Sequence, residues 1–120
     1  MRLTVLMIEV EQPEGISSRK LILEAARHNV ITAYTGRGGL DLLSRFPNVD
    51  VAVVHTDLDG LTFEETVREL KRVRPDLPVI GISPAADRQV DGADYMLSSY
   101  DPQDLLKLLA ERFEASGEPS

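Results

Sequence analysis

The stretch VDVAVVHTDLDG, residues 49–60, decides the fold. Val51, Ala52, Val53 and Val54 form a short apolar run rich in β-branched side chains, with no polar alternation. Such a run suits a strand buried on both faces, as in the middle of a parallel sheet. It breaks off at His55, Thr56, Asp57, Leu58, Asp59 and Gly60. In open α/β sheets, ligands and chemistry gather at the carboxyl ends of the strands, so His55 and the acids after it fall where a site is expected.

Toward the N-terminus, residues 3–8 read as a first buried strand, followed by Glu9, Val10, Glu11 and Gln12. Pro13 marks a plausible helix start. That helix is expected over residues 14–28, with Leu21, Ile22, Ala25 and Ala26 on its apolar face and Asn29 as its stop. A second strand is expected at 30–34, then a loop through Gly36, Arg37, Gly38 and Gly39, then a short helix over 40–46 ended by Pro47. Beyond the central strand, Thr62 and Glu65 have capping-box spacing. Phe63, Val67, Leu70 and Val73 follow at helical period, with Pro75 past the end. Residues 78–82 read as a fourth strand and 95–97 as a brief fifth. Asp101 before Pro102 is an N-cap signal for a last helix striped by Leu105, Leu109 and Phe113. A domain over residues 1–114 and a frayed, disordered tail over 115–120 are expected. Strands alternating with helices imply a doubly wound parallel sheet with right-handed crossovers and helices on both faces. For five strands the expected arrangement is flavodoxin-like, order 2-1-3-4-5.

The 120 residues carry a formal charge of −7, which argues against nucleic acid and against an anionic membrane surface as partners. There is no cysteine, so disulfides, thiolate zinc sites and cysteine nucleophiles are excluded. No signal-like segment and no apolar run near the ~20 residues of a membrane span is visible. A cytoplasmic protein is expected.

Four pieces in order, VLMIEVE (5–11), VDVAVVH (49–55), LPVIGIS (77–83) and GADYMLSSYDPQDLLKLL (92–109), make the chain similar to response-regulator receiver domains. The last piece is the most specific, because that family reads GADDYLxKPF before an acid-capped helix. The resemblance covers about residues 3–113. It implies a phosphoacceptor aspartate after the third strand, two acids after the first that hold Mg²⁺, a Thr or Ser after the fourth, and a Lys after the fifth. Carried over position by position, the acceptor falls on His55 and the acidic pair on Glu9 and Val10, with Glu11 beyond. The Thr/Ser position stays as Ser83, and the Lys falls on Ser99, or on Ser98 with a one-residue shift. The cis-proline becomes Tyr100, a candidate switch aromatic or interface anchor; Tyr95 and Tyr100 flank the last strand.

These departures have physical meaning. An imidazole cannot form the aspartyl phosphate. Mg²⁺ wants hard oxygen ligands, and Val10 and His55 remove two positions. Without the Lys, no nearby positive group is expected to neutralise transferred charge. The chain therefore reads as a degenerate pseudo-receiver, without enzymatic activity and without a cofactor; Mg²⁺ binding is not expected. The segment 83–92 is also about six residues short, leaving room for one turn where receivers have a full fourth helix.

For His55 the plainer expectation is that it fills the old aspartate pocket and pairs with Glu9 or Asp57; a pH-sensing role would follow if those carboxylates raise its pKa. Asp57 is the alternative phosphoacceptor, or else a loop carboxylate beside the Asp59-Gly60 turn. Glu9, Glu11, Asp57 and Asp59 could attract a cation if they converge, or remain a solvated acidic rim. Ser83 and Ser99 are remnant phosphoryl-contact positions. His28 reads as a surface residue near a helix C-terminus. Three functions compete: a receiver-like signalling module acting through a protein partner or as a homodimer, a phosphorelay receiver with its acceptor shifted to Asp57, and a small flavin or nucleotide carrier.

Overall fold

The computed structural model describes residues 2–10, 18–58, 60–83, 92–97 and 101–114. Five strands, β1 (Thr4–Ile8), β2 (Asn29–Ala33), β3 (Val51–His55), β4 (Val79–Ile82) and β5 (Tyr95–Leu97), form one parallel sheet in the order β2-β1-β3-β4-β5. The order is the expected one. Between them run α1 (Ser18–Ala25), α2 (Gly36–Arg45) and α3 (Phe63–Val73), and α4 (Pro102–Leu109) follows β5 and widens into a π turn over Ala110–Glu114. The winding reverses between β1 and β3, so a crevice opens at the carboxyl ends of these two strands. Among the described residues, no helix is long and apolar enough to cross a membrane.

Strand alternation divides the core in two. Leu6, Ile8, Ala52 and Val54 face one side and pack with Leu43 of α2 and with Phe63, Val67 and Leu70 of α3. Val5, Met7, Val51, Val53, Ile80 and Ile82 face the other and meet Leu23 of α1 and Leu105 and Leu109 of α4. Each such fully buried side chain contributes about 1.5–3 kcal/mol. Both faces of β1 and β3 are thus dry, which is why their sequences are apolar throughout.

The caps read from sequence are present. Thr62 Oγ1 accepts from the Glu65 N–H at 3.1 Å, and Glu65 Oε1 accepts from the Thr62 N–H at 3.0 Å. The Thr62 main-chain N–H, and after it the Thr62 side chain, hold the Glu65 carboxyl below the usual carboxylate range. Asp101 Oδ1 accepts from the Gln103 N–H at 3.0 Å, with Pro102 in the first turn of α4.

Several elements depart from the sequence reading. The residues 36–39 are not a loop: α2 begins at Gly36, capped by Thr35, whose Oγ1 accepts from the Gly38 N–H at 2.9 Å. Glycine is a poor helix former, but here it serves packing. A Cβ on Gly36 would lie 2.3 Å from Thr66 Oγ1, and one on Gly39 would lie 2.2 Å from Ile8 Cδ1. β2 starts one residue early, and Val73 is exposed rather than part of the α3 stripe.

α1 ends at Ala25, not near residue 28, and its inward residues are Arg19 and Leu23; Leu21 is 52% exposed. It closes in a Schellman pattern, with the Arg27 N–H donating to Glu24 O at 2.9 Å and the His28 N–H to Leu23 O at 3.0 Å. Arg27 takes the left-handed conformation, φ 73°, that glycine usually fills there. The reversal turns His28 inward. It is 4% exposed, not a surface residue, and its Nδ1 accepts from the Leu3 N–H at 3.0 Å. The expected start of the first helix near Pro13, the shortened helix within 84–91 and the tail over 115–120 lie outside the described residues.

Candidate functional site

Register brings the site together. Ile8 pairs with Val54, and His55 with Ile82, so Glu9, His55 and Ser83 stand side by side at the carboxyl ends of β1, β3 and β4. The backbone fixes each of them. The Glu9 N–H donates to Ala33 O at 3.0 Å, the Thr56 N–H to Ile82 O at 2.9 Å and the Ser83 N–H to Leu97 O at 3.0 Å. All three side chains are buried, Glu9 to 1% exposure.

The sequence reading did not include a fourth member. Arg19, the second residue of α1, points in toward the sheet and sets Nη2 2.6 Å from Glu9 Oε1. It is itself only 8% exposed. The absence of a nearby cation, inferred from the missing Lys, is therefore corrected: a guanidinium lies in the crevice. The pocket walled by Met7, Ile8, Glu9, Arg19, Val53, His55 and Ile82 leaves ≈ 0 Å³ for a water-sized sphere. The signal for Arg19 was faint but present. It lies one helical turn before Leu23, and so shares that residue's inward face.

The expected pairing of His55 with a carboxylate takes another form. Glu9 pairs with Arg19, and the His55 Nδ1 accepts from the main-chain N–H of Asp57 at 3.0 Å. That bond requires an unprotonated Nδ1, so in the neutral ring the proton sits on Nε2. Burial lowers the His55 pKa below 6.5, and the charge of Arg19 lowers it further, against smaller upward pulls from Asp57 and Glu9. The expectation that carboxylates would raise it is overturned, because desolvation and a cation outweigh them.

A pH dependence follows. The folded ring binds a proton less readily than the unfolded one, whose ordinary value is 6.5. Stability therefore rises with pH across the window between the folded value and 6.5. It is fully present above 6.5 and is lost as pH falls through that window. Urea midpoints taken between pH 5 and 8 are expected to show this slope in the native chain. The slope should flatten in His55→Asn, whose amide can accept the same N–H without titrating.

Asp57 is exposed at the mouth of the crevice. Glu11, Asp59, Ser98, Ser99 and Tyr100 lie outside the described residues. Among the described residues, no group of three or more His, Cys, Asp or Glu side chains is placed to hold a metal ion. Among the described residues, the side chains lining this crevice do not fit a magnesium ion. The buried carboxylate of Glu9 is engaged by a guanidinium, Val10 offers no side-chain oxygen, and the pocket has no room for a water-sized sphere.

Away from the crevice, Asp94 ties the entry of β5 to α3. Its Oδ2 accepts from the Val79 N–H at 2.8 Å and from Lys71 Nζ at 2.7 Å. Tyr95 packs edge-on against Phe113, with ring centroids 6.2 Å apart, and Arg112 lies 5.6 Å over its face. Tyr95 thus belongs to the packing between β5 and the end of the last helix.

No family model and no curated protein matches the sequence. Solved structures match the fold. A response regulator receiver domain protein from Clostridium thermocellum superposes with a TM-score of 0.79 at 23% identity, over 95% of this chain and 96% of that one. A CheY-like receiver domain protein from Methanospirillum hungatei gives 0.77 at 21% identity, over 96% of each chain. The receiver domain of a sensor histidine kinase from Pseudomonas aeruginosa, with a magnesium ion coordinated in its active site cleft, gives 0.79 at 17% identity, over 92% of this chain and 97% of that one. The sheet order, the two helical layers and these superpositions together give the chain the fold of a response-regulator receiver domain.

Proposed function

We propose that the chain is a receiver-like module of a two-component type signalling system, cytoplasmic, that acts through a protein partner or by self-association and is not phosphorylated at the end of its central strand. One observation carries this reading. The position after Val54 holds an imidazole that accepts a main-chain hydrogen bond, beside a carboxylate already paired with Arg19. Among the described residues, neither a carboxylate nucleophile nor a free oxygen cluster for a divalent cation stands there, and both are needed for an aspartyl phosphate. The filled crevice also speaks against a flavin or nucleotide at the switch point, since ligand pockets run to about 300–1,000 Å³. The Borrelia burgdorferi CheY, solved in complex with CheX, BeF₃ and Mg²⁺, superposes with a TM-score of 0.79 at 18% identity, and it lends support to protein association as the mode of action.

A second reading keeps phosphorylation and moves it to Asp57, favoured by the exposure of that side chain. Acetyl phosphate with Mg²⁺, read by intact mass, separates the two. The first reading expects no adduct and no change in melting temperature with beryllofluoride. A phosphoryl adduct that disappears in Asp57→Asn would establish the second and remove the first.

A further inference from the structure

The crevice poses a physical problem that its own residues solve. Glu9 carries a carboxylate at 1% exposure, and an isolated buried carboxylate is too costly to keep ionised without a partner. Its Oε1 is met by Arg19 Nη2 at 2.6 Å, and its Oε2 is buried with no hydrogen-bond partner among the described residues. Two kinds of cation could answer such a carboxylate: an ion exchanging with solvent, or one attached to the chain. A guanidinium suits the second role. It is planar, always charged and more weakly hydrated than an ammonium, so it is the cation best adapted to a dry pocket. The enclosing walls of Met7, Ile8, Val53 and Ile82 are apolar and leave no room for a water-sized sphere. The charge of Arg19 also reaches the neighbouring ring, where it opposes protonation of His55.

We propose that Arg19 is the resident cation of this crevice, a tethered occupant that seals it against exchangeable cations, and that the site it vacates when truncated is a receptor for a guanidinium-class cation. The inference goes beyond the signalling role, since it holds whichever partner the domain meets and whether or not Asp57 takes a phosphoryl group. The crevice is then a closed structural joint between β1 and α1, set in one state by the chain itself.

The test uses Arg19→Ala in the full chain, melted in rising guanidinium chloride at low millimolar concentration against matched sodium chloride and urea. The variant is expected to melt below the native chain and to gain about 5 °C near ten times its Kd for guanidinium. The native chain, whose site is filled, should gain nothing. If Arg19→Ala is unfolded in buffer, recovery of its folded circular dichroism on adding guanidinium is the equivalent positive result. A variant that shows neither a gain nor recovery, or that melts like the native chain, overturns the proposal. A second measurement follows free Mn²⁺ by electron paramagnetic resonance. The native chain should take up none at this site. Uptake by the native chain that is abolished in Glu9→Gln would show an exchangeable cation there and would also overturn the proposal.

Discussion

Replacing Arg19 by Met is expected to cost about 3–5 kcal/mol of folding stability, and replacing Glu9 by Leu in the same chain to restore most of it. The asymmetry comes from desolvation. The pair is 2.6 Å apart, with side-chain exposures of 10% for Arg19 and 2% for Glu9. Removing the guanidinium strands a carboxylate whose second oxygen is already without a donor among the described residues. Nothing in the apolar wall can replace the lost partner, and the carboxylate cannot reach water without opening the crevice. Removing the carboxylate instead leaves Arg19 near the start of α1, where a long flexible stem can carry the charge outward. Glu9→Leu alone should therefore cost less than Arg19→Met alone. With both charges gone, Met and Leu occupy similar volume in a pocket otherwise lined by Met7, Ile8, Val53 and Ile82. Urea unfolding of the four proteins at neutral pH gives the coupling directly, and a favourable term of about 2–3 kcal/mol is expected. Additive single effects would mean that the two groups do not depend on each other.

This pair also marks where the sequence stopped being legible. The strands could be read because each of β1, β3 and β4 is dry on both faces, and a continuous apolar run then has few other interpretations. Their order followed from the strand–helix alternation, and the caps at Thr62 and Asp101 from local hydrogen-bond chemistry. The position of Glu9 and His55 at adjacent strand ends followed in turn. Arg19 did not. Arginine is normally a surface residue, and the apolar face assigned to its helix ran through Leu21, Ile22, Ala25 and Ala26. The spacing to Leu23 puts Arg19 on the inward face, but what makes a charge tenable there is a buried carboxylate ten residues earlier, outside α1. The same holds for His28. Its burial depends on Arg27 adopting a positive φ and on a main-chain donor at Leu3. Gly36 and Gly39 misled in the opposite sense. Their low helix propensity is local, while the contacts with Thr66 and Ile8 that favour them are tertiary. The expected shift at His55 is reversed first by burial of the ring and then by the charge of Arg19, which together outweigh Asp57 and Glu9.

Phe63→Ala is the second change with a large expected effect, a loss of about 3–5 kcal/mol. The ring follows the capping box of α3 directly and is buried against the sheet. Its Cζ and the Met96 Sδ fill the space beside Gly81 where a side chain would begin; a Cβ there would lie 2.8 Å and 2.4 Å from them. Gly81 has no positive φ, so its backbone does not require glycine. On propensity alone, alanine in a strand interior should be better by roughly 0.5–1 kcal/mol. Space decides the sign the other way, and Gly81→Ala is expected to destabilise by about 1–3 kcal/mol through overpacking. The two residues are then halves of one fit, a large ring over a missing Cβ. Phe63→Leu removes part of the ring and leaves a gap at that spot, so Gly81→Ala should cost less in the Phe63→Leu background than in the native chain, or become favourable. Thermal or urea unfolding of the two single variants and the double one measures this. The effect reaches the crevice as well, because Ile82 pairs with His55 and Ser83 follows on the same strand. A shift of β4 driven by the new Cβ should therefore alter the His55 imidazole resonances in Gly81→Ala, and the double variant should bring them back toward the native positions.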